Sequence, residues 1–191
     1  GALLIHRLDR DTSGVLLVAK NEASQKYFQQ QFKARAVIKH YRAIVYGKVK
    51  RETGSIELAV GRSRQDPRKR VAGREAMGQL REAKTAYQVI KYFKGYTYLE
   101  AALMTGRTHQ LRVHFQAIGH PIVGDKLYLP KDKTVIEKLA LPQLDRQALH
   151  SYYLKITLPS SLPRQVGQIK EFTAPLPADF QAALDYLEEK C

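Results

Sequence analysis

Residues 1–20 read GALLIHRLDRDTSGVLLVAK, with apolar runs at residues 2–5 and 15–19 on either side of a polar connector at residues 6–14. The apolar runs predict two buried strands, and the connector predicts the loop that joins them. This connector carries a histidine, charged side chains, two hydroxyls and a glycine. A loop that only reverses the direction of the chain needs fewer functional side chains than this. Because buried strands would hold both of its ends, we predict a reactive loop on a rigid scaffold.

Asp9 is the candidate catalytic group of this loop. Leu8 predicts a buried anchor that would hold the Asp9 carboxylate partly out of water. Three neighbours would supply positive charge around that carboxylate: His6, Arg7 and Arg10. Such surroundings suit a carboxylate used in chemistry. An equally supported alternative is structural, with Asp9 and Asp11 capping a turn together with Thr12 and Ser13.

The composition predicts one domain, residues 1–191, with a nucleic acid as its partner. The chain has 191 residues and a hydrophobic content of 44%, enough for one well-cored domain. Its formal net charge is +14, which favours a polyanionic partner. No apolar run approaches the roughly 20 residues that span a membrane, so we expect no membrane association.

A single cysteine, Cys191, stands at the end of the chain. This excludes a disulfide framework within the chain, favours a reducing, cytoplasmic compartment and leaves no internal thiolate as nucleophile. His109 and His114 are five residues apart rather than four, and no cysteine or nearby glutamate completes a zinc set. We therefore expect no metal and interpret both histidines as hydrogen-bonding groups of the loop and helix.

The next segments alternate between helix and strand. Asn21 predicts the cap of a helix over residues 22–34, whose inner side would form core: Ala23, Tyr27, Phe28 and Phe32. Residues 38–49 predict a strand with one buried row: Tyr41, Ala43 and Val45. Pattern alone favours Tyr41 as a core tyrosine. A short strand is predicted over residues 54–60.

Residues 61–81 are rich in arginine and glycine and poor in bulky apolar side chains. We predict an exposed, mobile hairpin or loop that contacts the nucleic-acid backbone, although such a run can also be only a solvated surface. The candidate phosphate contacts are Arg62, Arg64, Arg68, Lys69 and Arg70. If they make no contact, the nucleic acid is expected to bind along Lys33, Arg35 and Lys39 instead.

Residues 84–93 and 96–104 alternate as two antiparallel strands joined by a tight turn. The second strand leads to a helix through a junction that contains Arg107, and Arg112 lies in the first turns of that helix, which ends near Gly119. Arginine side chains and free backbone N–H groups at such a junction favour an anion.

The remaining segments complete an α+β domain. Residues 131–144 are a polar, proline-bounded excursion, residues 151–158 and 169–173 predict paired strands, and Asp179 begins a closing helix. Its inward residues would be Phe180, Ala183, Leu184 and Leu187. The irregular order of elements, with several hairpins, predicts a mainly antiparallel mixed sheet with flanking helices.

Four motifs resemble the RluA-type RNA pseudouridine synthases, in the order that this family shows. The motifs are HRLDRDTSGVLLVAK (residues 6–20), TGRTHQLRVHF (105–115), GHPIVGDKLY (119–128) and DRQALHSYYL (145–154). The resemblance covers nearly the whole chain and implies the pseudouridine synthase catalytic fold. Because these enzymes usually carry further residues before the first motif, the chain is expected to be N-terminally incomplete.

The resemblance implies that the protein isomerises uridine to pseudouridine in RNA without a cofactor, after the base is flipped out of its stack. Asp9 would be the essential carboxylate, either attacking the ribose or taking a proton from it. Arg112 would pair with Asp9 and orient it, and Tyr41 would stack on the uracil and assist proton removal. The candidate substrate-binding residues are His6, Arg7, Arg10, Thr12, Arg107, Thr108, His109 and Gln110.

Ribosomal RNA of the large subunit is the first expected substrate and transfer RNA the second, and a monomer is expected. One alternative is a catalytically inactive RNA-binding or ribosome-assembly module, against which the complete set of Asp9, Tyr41 and Arg112 argues. Another is a carboxylate-dependent hydrolase, which would need a second catalytic carboxylate opposite Asp9. Asp11 is too close in sequence to be assigned that role.

Overall fold

The structure of the protein is a computed structural model that describes residues 1–73, 76–130, 132, 134, 141, 144–160 and 167–190. The first half of the chain forms β1 (Leu3–Leu4), β2 (Ser13–Gly14), β3 (Val18–Ala19), α1 (Glu22–Lys33), β4 (Ile38–Tyr46), β5 (Thr53–Glu57), β6 (Val60–Arg62), β7 (Arg70–Ala72) and β8 (Met77–Arg81). The second half forms β9 (Lys84–Phe93), β10 (Tyr96–Leu103), α2 (Gln110–Ala117), β11 (Leu149–Thr157), β12 (Ile169–Thr173) and α3 (Ala178–Lys190).

A seven-stranded sheet forms the centre of the protein. Its strand order is β12-β11-β4-β10-β9-β5, and β2 pairs with β11 beside this path. All of these pairs are antiparallel except that between β2 and β11. The prediction of an α+β fold with a mainly antiparallel mixed sheet is confirmed.

Helices cover both faces of this sheet. On one face Phe115 of α2 packs against Tyr87, with 6.1 Å between the ring centroids. On the other face Phe180 of α3 packs against Tyr98 at 6.2 Å. Tyr41 pairs with Ala101, which in turn pairs with Tyr87, so Tyr41 lies on the α2 face. Because both faces are covered, residues 43–46 at the end of β4 are buried continuously rather than in the single predicted row.

The helices begin and end close to the predicted positions. The Asn21 side chain caps α1 by accepting a hydrogen bond from the Ser24 backbone N–H at 2.9 Å. In α1, Phe28 is buried as predicted, whereas Ala23 is exposed because it lies outside the contact with the core. Helix α3 buries the four predicted inward residues: Phe180, Ala183, Leu184 and Leu187.

The first two strands are shorter and more exposed than predicted. Strands β1 and β3 have two residues each and pair only with one another. Leu4 is 61% exposed and Val18 is 43% exposed, because one side of this small ribbon faces solvent. Ile5 and Ala19 are buried against Phe28 of α1, so the connector loop is still held at both ends.

The arginine-rich segment is folded rather than irregular. Strands β7, β6 and β8 form a separate three-stranded antiparallel sheet, in which every residue of β8 is exposed. The predicted strand over residues 54–60 is divided between β5 and β6. The predicted excursion at residues 131–144 lies largely outside the described residues. Within the described part of the chain, no helix is long and apolar enough to cross a membrane.

Candidate active site

The loop between β1 and β2 carries Asp9 and is closed by its own backbone. The Thr12 N–H donates to the Asp9 carbonyl at 3.0 Å, and Asp11 has a φ of 66°. The turn therefore does not use the Asp9 carboxylate as its cap. That side chain is 18% exposed and points towards Arg112, while Leu8 packs against the main core. The prediction that Asp9 lies partly out of water is confirmed.

Two consecutive residues before β11 hold this loop in place. Arg146 donates from Nη1 to the Asp11 carbonyl at 3.1 Å, and its Nε and Nη2 bind the Asp179 carboxylate. Buried Gln147 donates its side-chain amide to the Arg10 carbonyl and to Thr12 Oγ1. The motif at residues 145–154 thus fixes the backbone of the motif at residues 6–20.

Arg112 binds a different carboxylate more closely than the predicted one. Its Nε and Nη2 donate to the two oxygens of Asp125 at 2.7 Å and 2.8 Å. Its Nη1 lies 3.9 Å from Asp9 Oδ2. Burial lowers the pKa of Arg112, but the hydrogen bonds and charge of Asp125 outweigh it, so the pKa lies above its ordinary value. Arg112 is therefore fixed by Asp125 and faces Asp9 with its remaining nitrogen.

Asp125 is a site residue that the sequence analysis did not single out. Its side chain is fully buried and also accepts hydrogen bonds from the backbone N–H groups of Leu127 and Tyr128, each at 2.9 Å. A signal for it was present, because Asp125 lies in the motif GHPIVGDKLY. A buried arginine needs a carboxylate partner, and this motif holds a carboxylate within reach of the helix.

Tyr128 connects the arginine-rich sheet with the cluster of Asp9, Arg112 and Asp125. Its ring lies under the Arg112 guanidinium, 4.9 Å from the centroid. Its hydroxyl accepts a hydrogen bond from the Arg70 backbone N–H at 2.8 Å and lies 2.8 Å from His109 Nδ1, to which it can donate. Burial lowers the pKa of His109, which favours the neutral ring that accepts this bond.

Tyr41 lies on β4 beside Asp9 and is 6% exposed. Burial raises the pKa of Tyr41 to about 12, against the effect of a hydrogen bond with Ser151 and together with that of the nearby Asp9 charge. Tyr41 is consequently a protonated phenol at neutral pH. It can stack on a ring and exchange hydrogen bonds, but its phenolate is strongly disfavoured.

A cavity of about 470 Å³ opens beside Asp9 and Tyr41, a size typical of small-ligand sites. Seven other residues predicted for the site also line it: His6, Arg7, Thr12, Arg107, Thr108, Gln110 and the anchor Leu8. Gln110 donates its amide to Lys84 and Thr85 and accepts from Thr105 and Arg107, so it shapes the wall rather than offering free groups. Arg10, His109 and Arg112 lie outside the cavity lining.

The positive charge at this cavity is distributed differently from the prediction. The Arg10 side chain is 95% exposed and lies 3.9 Å from the Asp11 carboxylate. Burial and the nearby Lys39 lower the pKa of His6 to about 4, so His6 is neutral and accepts a hydrogen bond from the Leu17 N–H. Arg7 lines the cavity as predicted, but Arg10 and His6 do not surround Asp9 with charge.

One wall of the cavity comes from α1 and the start of β4. Phe32 stacks on His6, with 4.8 Å between ring centroids, and the Lys39 ammonium lies 5.3 Å from the Phe32 ring. Burial lowers the pKa of Lys39. Phe32, predicted as core, thus lines the cavity, and Lys39 lies two residues from Tyr41 on the same face of β4.

The five predicted phosphate contacts divide into two groups. Arg62 and Arg70 line a second cavity between the three-stranded sheet and the loop at residues 106–108. Arg64, Arg68 and Lys69 lie outside that lining, and the Arg68 fork binds Asp66 at 2.8 Å and 3.0 Å. In the described part of the chain, no group of three or more histidine, cysteine or acidic residues could hold a metal ion.

Fold and site together define an α+β domain with a cavity of the size of a small-ligand site, whose lining in the described part of the chain contains one carboxylate, that of Asp9. The sequence profile of a family described as RNA pseudouridylate synthase matches residues 2–117. The chain belongs to this family.

Similar proteins carry the same description. The chain is 41% identical over 187 residues to an uncharacterized RNA pseudouridine synthase of Chloroflexus aurantiacus, a match that covers 98% of this chain and 54% of that protein. It is 39% identical over 181 residues to the ribosomal large subunit pseudouridine synthase D of Nitrosomonas europaea, covering 95% and 50%. The chain spans about half the length of the curated relatives it matches.

A solved structure shares the fold. Human RNA pseudouridylate synthase domain containing 1 superposes with a TM-score of 0.79 at 29% sequence identity. The match covers 99% of this chain and 79% of the human chain.

Proposed function

We propose that this protein converts specific uridines of RNA into pseudouridine, with large-subunit ribosomal RNA as its substrate and Asp9 as the essential carboxylate. The observation that carries the proposal is the position of Asp9, partly buried beside the cavity and 3.9 Å from Arg112, in a chain of the RNA pseudouridylate synthase family. Ribosomal RNA is proposed because several similar proteins are named for the large ribosomal subunit.

The reaction breaks the bond between N1 of uracil and C1′ of the ribose and forms a bond between C5 and C1′. One proton leaves C5 and another is bound at N1, so atoms and charge balance without a cofactor. Asp9 would attack the ribose or take a proton from it, which are the two routes open to a carboxylate at this position. Stacked RNA hides the reacting atoms, so the uridine must be flipped into the cavity.

Four side chains would then hold the flipped nucleotide and the carboxylate. Tyr41 would stack on the uracil with its phenol protonated, as its raised pKa favours. Arg112 would keep Asp9 oriented through Nη1, while Asp125 fixes the guanidinium plane. Arg7 and Arg107, which line the cavity, would contact phosphates of the flipped nucleotide.

The competing functions fit the site less well. A hydrolase needs a second carboxylate, but the Asp11 side chain is 53% exposed and Asp125 is fully occupied by Arg112. An inactive binding module would not require Asp9, Tyr41 and Arg112 to lie together in one site.

The test is a product analysis on unmodified transcripts of large-subunit ribosomal RNA, with small-subunit ribosomal RNA and transfer RNA in parallel. Isomerisation releases tritium from uridine labelled at C5 and leaves the mass of unlabelled RNA unchanged. Release of free uracil would show hydrolysis, and binding without either product would show an inactive module. Modification of transfer RNA alone would overturn the ribosomal assignment.

A further inference from the structure

A second cavity of about 530 Å³ lies next to the active-site cavity. Its walls are the three-stranded sheet of β6, β7 and β8 and the loop at residues 106–108. Gly106, Arg107 and Thr108 line both cavities, so one stretch of backbone separates them. A bound polymer that occupies one cavity can therefore pass over this stretch of backbone into the other.

Four arginines line this second cavity: Arg62, Arg70, Arg81 and Arg107. No acidic side chain is among its lining residues in the described part of the chain. Four like charges around one space repel each other, and this repulsion is relieved when an anion enters. The cavity is therefore suited to an anion with several oxygen acceptors.

The hydrogen bonds of these arginines leave their charge uncompensated. Arg107 donates to the Glu82 carbonyl at 3.0 Å, and Arg70 donates to the carbonyls of Pro67 and Lys69. Arg62 and Arg81 are exposed and form no ion pair with any residue that the structure describes. By contrast, Arg68 at the turn of the same sheet is already paired with Asp66.

The backbone around the cavity allows a ligand to come close. Gly78 has a φ of 70° and a Cβ added there would meet nothing within 4 Å. Met77 beside it is 43% exposed and lines the cavity, which supplies an apolar surface in an otherwise basic wall. A ribose or base has such an apolar face and a phosphate provides the charge, so a nucleotide matches both features.

We propose that this second cavity binds the nucleotide next to the flipped uridine in the same RNA strand, with Arg62 and Arg81 contacting its phosphate. This inference rests on the proposed function. The phosphate contacts of the arginine-rich sheet would then lie in this cavity and not at the turn that carries Arg64, Arg68 and Lys69. Arg81, which was not among the predicted phosphate contacts, would be one of them. The flanking nucleotide then anchors the strand while the uridine lies beside Asp9.

The test compares two double variants that remove the same charge from the same sheet. The double variant Arg62→Gln/Arg81→Gln removes two positive charges from the cavity lining. The double variant Arg64→Gln/Lys69→Gln removes two positive charges outside that lining. Binding of a fluorescein-labelled oligouridylate is measured over a range of salt concentrations. Each lost contact with single-stranded RNA lowers the slope of log affinity against log salt by about 0.7, so we expect a decrease of about 1.4 for the cavity pair and none for its control.

Equal changes in the two pairs, or an unchanged slope for the cavity pair, would overturn the proposal. Arg81→Gln alone, with an expected decrease of about 0.7, provides the same test if the double variant folds poorly. Tritium release by the parent protein is measured separately from these binding assays. An inactive parent would refute the proposed function, whereas equal slopes in an active parent would refute only the second binding site.

Discussion

At the scale of single residues, the site depends on how one arginine is shared between two carboxylates. Asp125 takes Nε and Nη2 of Arg112 and leaves Nη1 for Asp9. The Arg112–Asp125 pair is neutral as a unit, so Asp9 adds the uncompensated negative charge of the cluster. Since the guanidinium is planar, fixing two of its nitrogens also fixes the direction in which the third faces Asp9.

We expect Asp9→Asn to abolish isomerisation while leaving RNA affinity nearly unchanged, because the substitution keeps the size of the side chain and removes only its charge. The single-turnover rate is expected to fall by at least about 1,000-fold. Asp11→Asn, the same change on the exposed aspartate of the loop, should stay close to the parent. Substantial turnover by Asp9→Asn would refute the assignment.

Replacing Arg112 by lysine should lower the rate by about 100-fold, although the charge is kept. An ammonium cannot bind both oxygens of Asp125 and face Asp9 at the same time. Arg107→Lys serves as the comparison, because Arg107 contacts a single backbone carbonyl in the structure. If Arg107→Lys were inactive and Arg112→Lys normal, the roles of the two arginines would be reversed.

Asp125→Asn should destabilise the protein by about 3–5 kcal/mol, because it leaves the buried Arg112 charge without its carboxylate. Asp179→Asn breaks a similar fork with Arg146 at a more exposed position and should cost only about 1 kcal/mol. Urea unfolding measures both values. A positioning role for Asp125 also requires that the turnover number falls while the Michaelis constant changes little. A rise in the Michaelis constant with an unchanged turnover number would contradict it.

At the scale of elements, the catalytic loop is held by its contact with β11 rather than by long strands of its own. Strand β2 pairs in parallel with β11 over two residues, and the Val15 N–H donates to the Ser151 carbonyl at 2.9 Å. Ser13 Oγ adds a hydrogen bond with His150 Nδ1 at 2.9 Å. Since β11 also pairs with β4, this contact places the Asp9 loop beside Tyr41.

Gly14→Ala should move this loop and reduce both stability and activity. Gly14 has a φ of 115°, and a Cβ there would clash with the Ser151 carbonyl oxygen. Gly119→Ala is the matched control, because Gly119 has a φ of 84° but open space around the added atom. Urea unfolding should show a loss of more than about 1 kcal/mol for Gly14→Ala, exceeding that of Gly119→Ala. Equal losses would mean that the close approach to β11 is unimportant.

At the scale of the whole molecule, the protein combines a high positive charge with several neutral histidines. The net charge of +14 excludes the six histidines. Burial lowers the pKa of His6, His109, His114 and His150 below the ordinary value. Their protonation would add charge to an already basic protein and would break hydrogen bonds that the neutral rings accept.

Stability should therefore decrease as the pH falls from about 6.5 towards 4. In this window the unfolded chain binds a proton at His6 while the folded protein does not, so lowering the pH favours unfolding. The lowered pKa values of His109, His114 and His150 act in the same direction. Each fully buried histidine would contribute a slope of about 1.4 kcal/mol per pH unit, and partial exposure reduces this value. Urea midpoints at several pH values measure the trend, and His6→Gln should flatten it. A midpoint independent of pH would contradict the prediction.

The amino-acid sequence by itself determined the family, the class of fold and most of the elements. Periodicity and capping residues are local properties, so α1 from its Asn21 cap, the β9–β10 hairpin and the inward face of α3 were predicted close to their observed positions. The position of Asp9 in HRLD likewise identified the candidate carboxylate before any contact was known.

The tertiary structure alone decided which groups meet. A motif marks Asp125, but Asp125 is 13 residues from Arg112 in sequence and Gln147 is 137 residues from Arg10, so no local pattern predicts which partner each one binds. The charge state of His6 also depends on tertiary structure, since burial against Phe32 and the nearby Lys39 lower its pKa to about 4. Pairing and desolvation arise between segments distant in sequence, and they become defined only when the sheet brings those segments together.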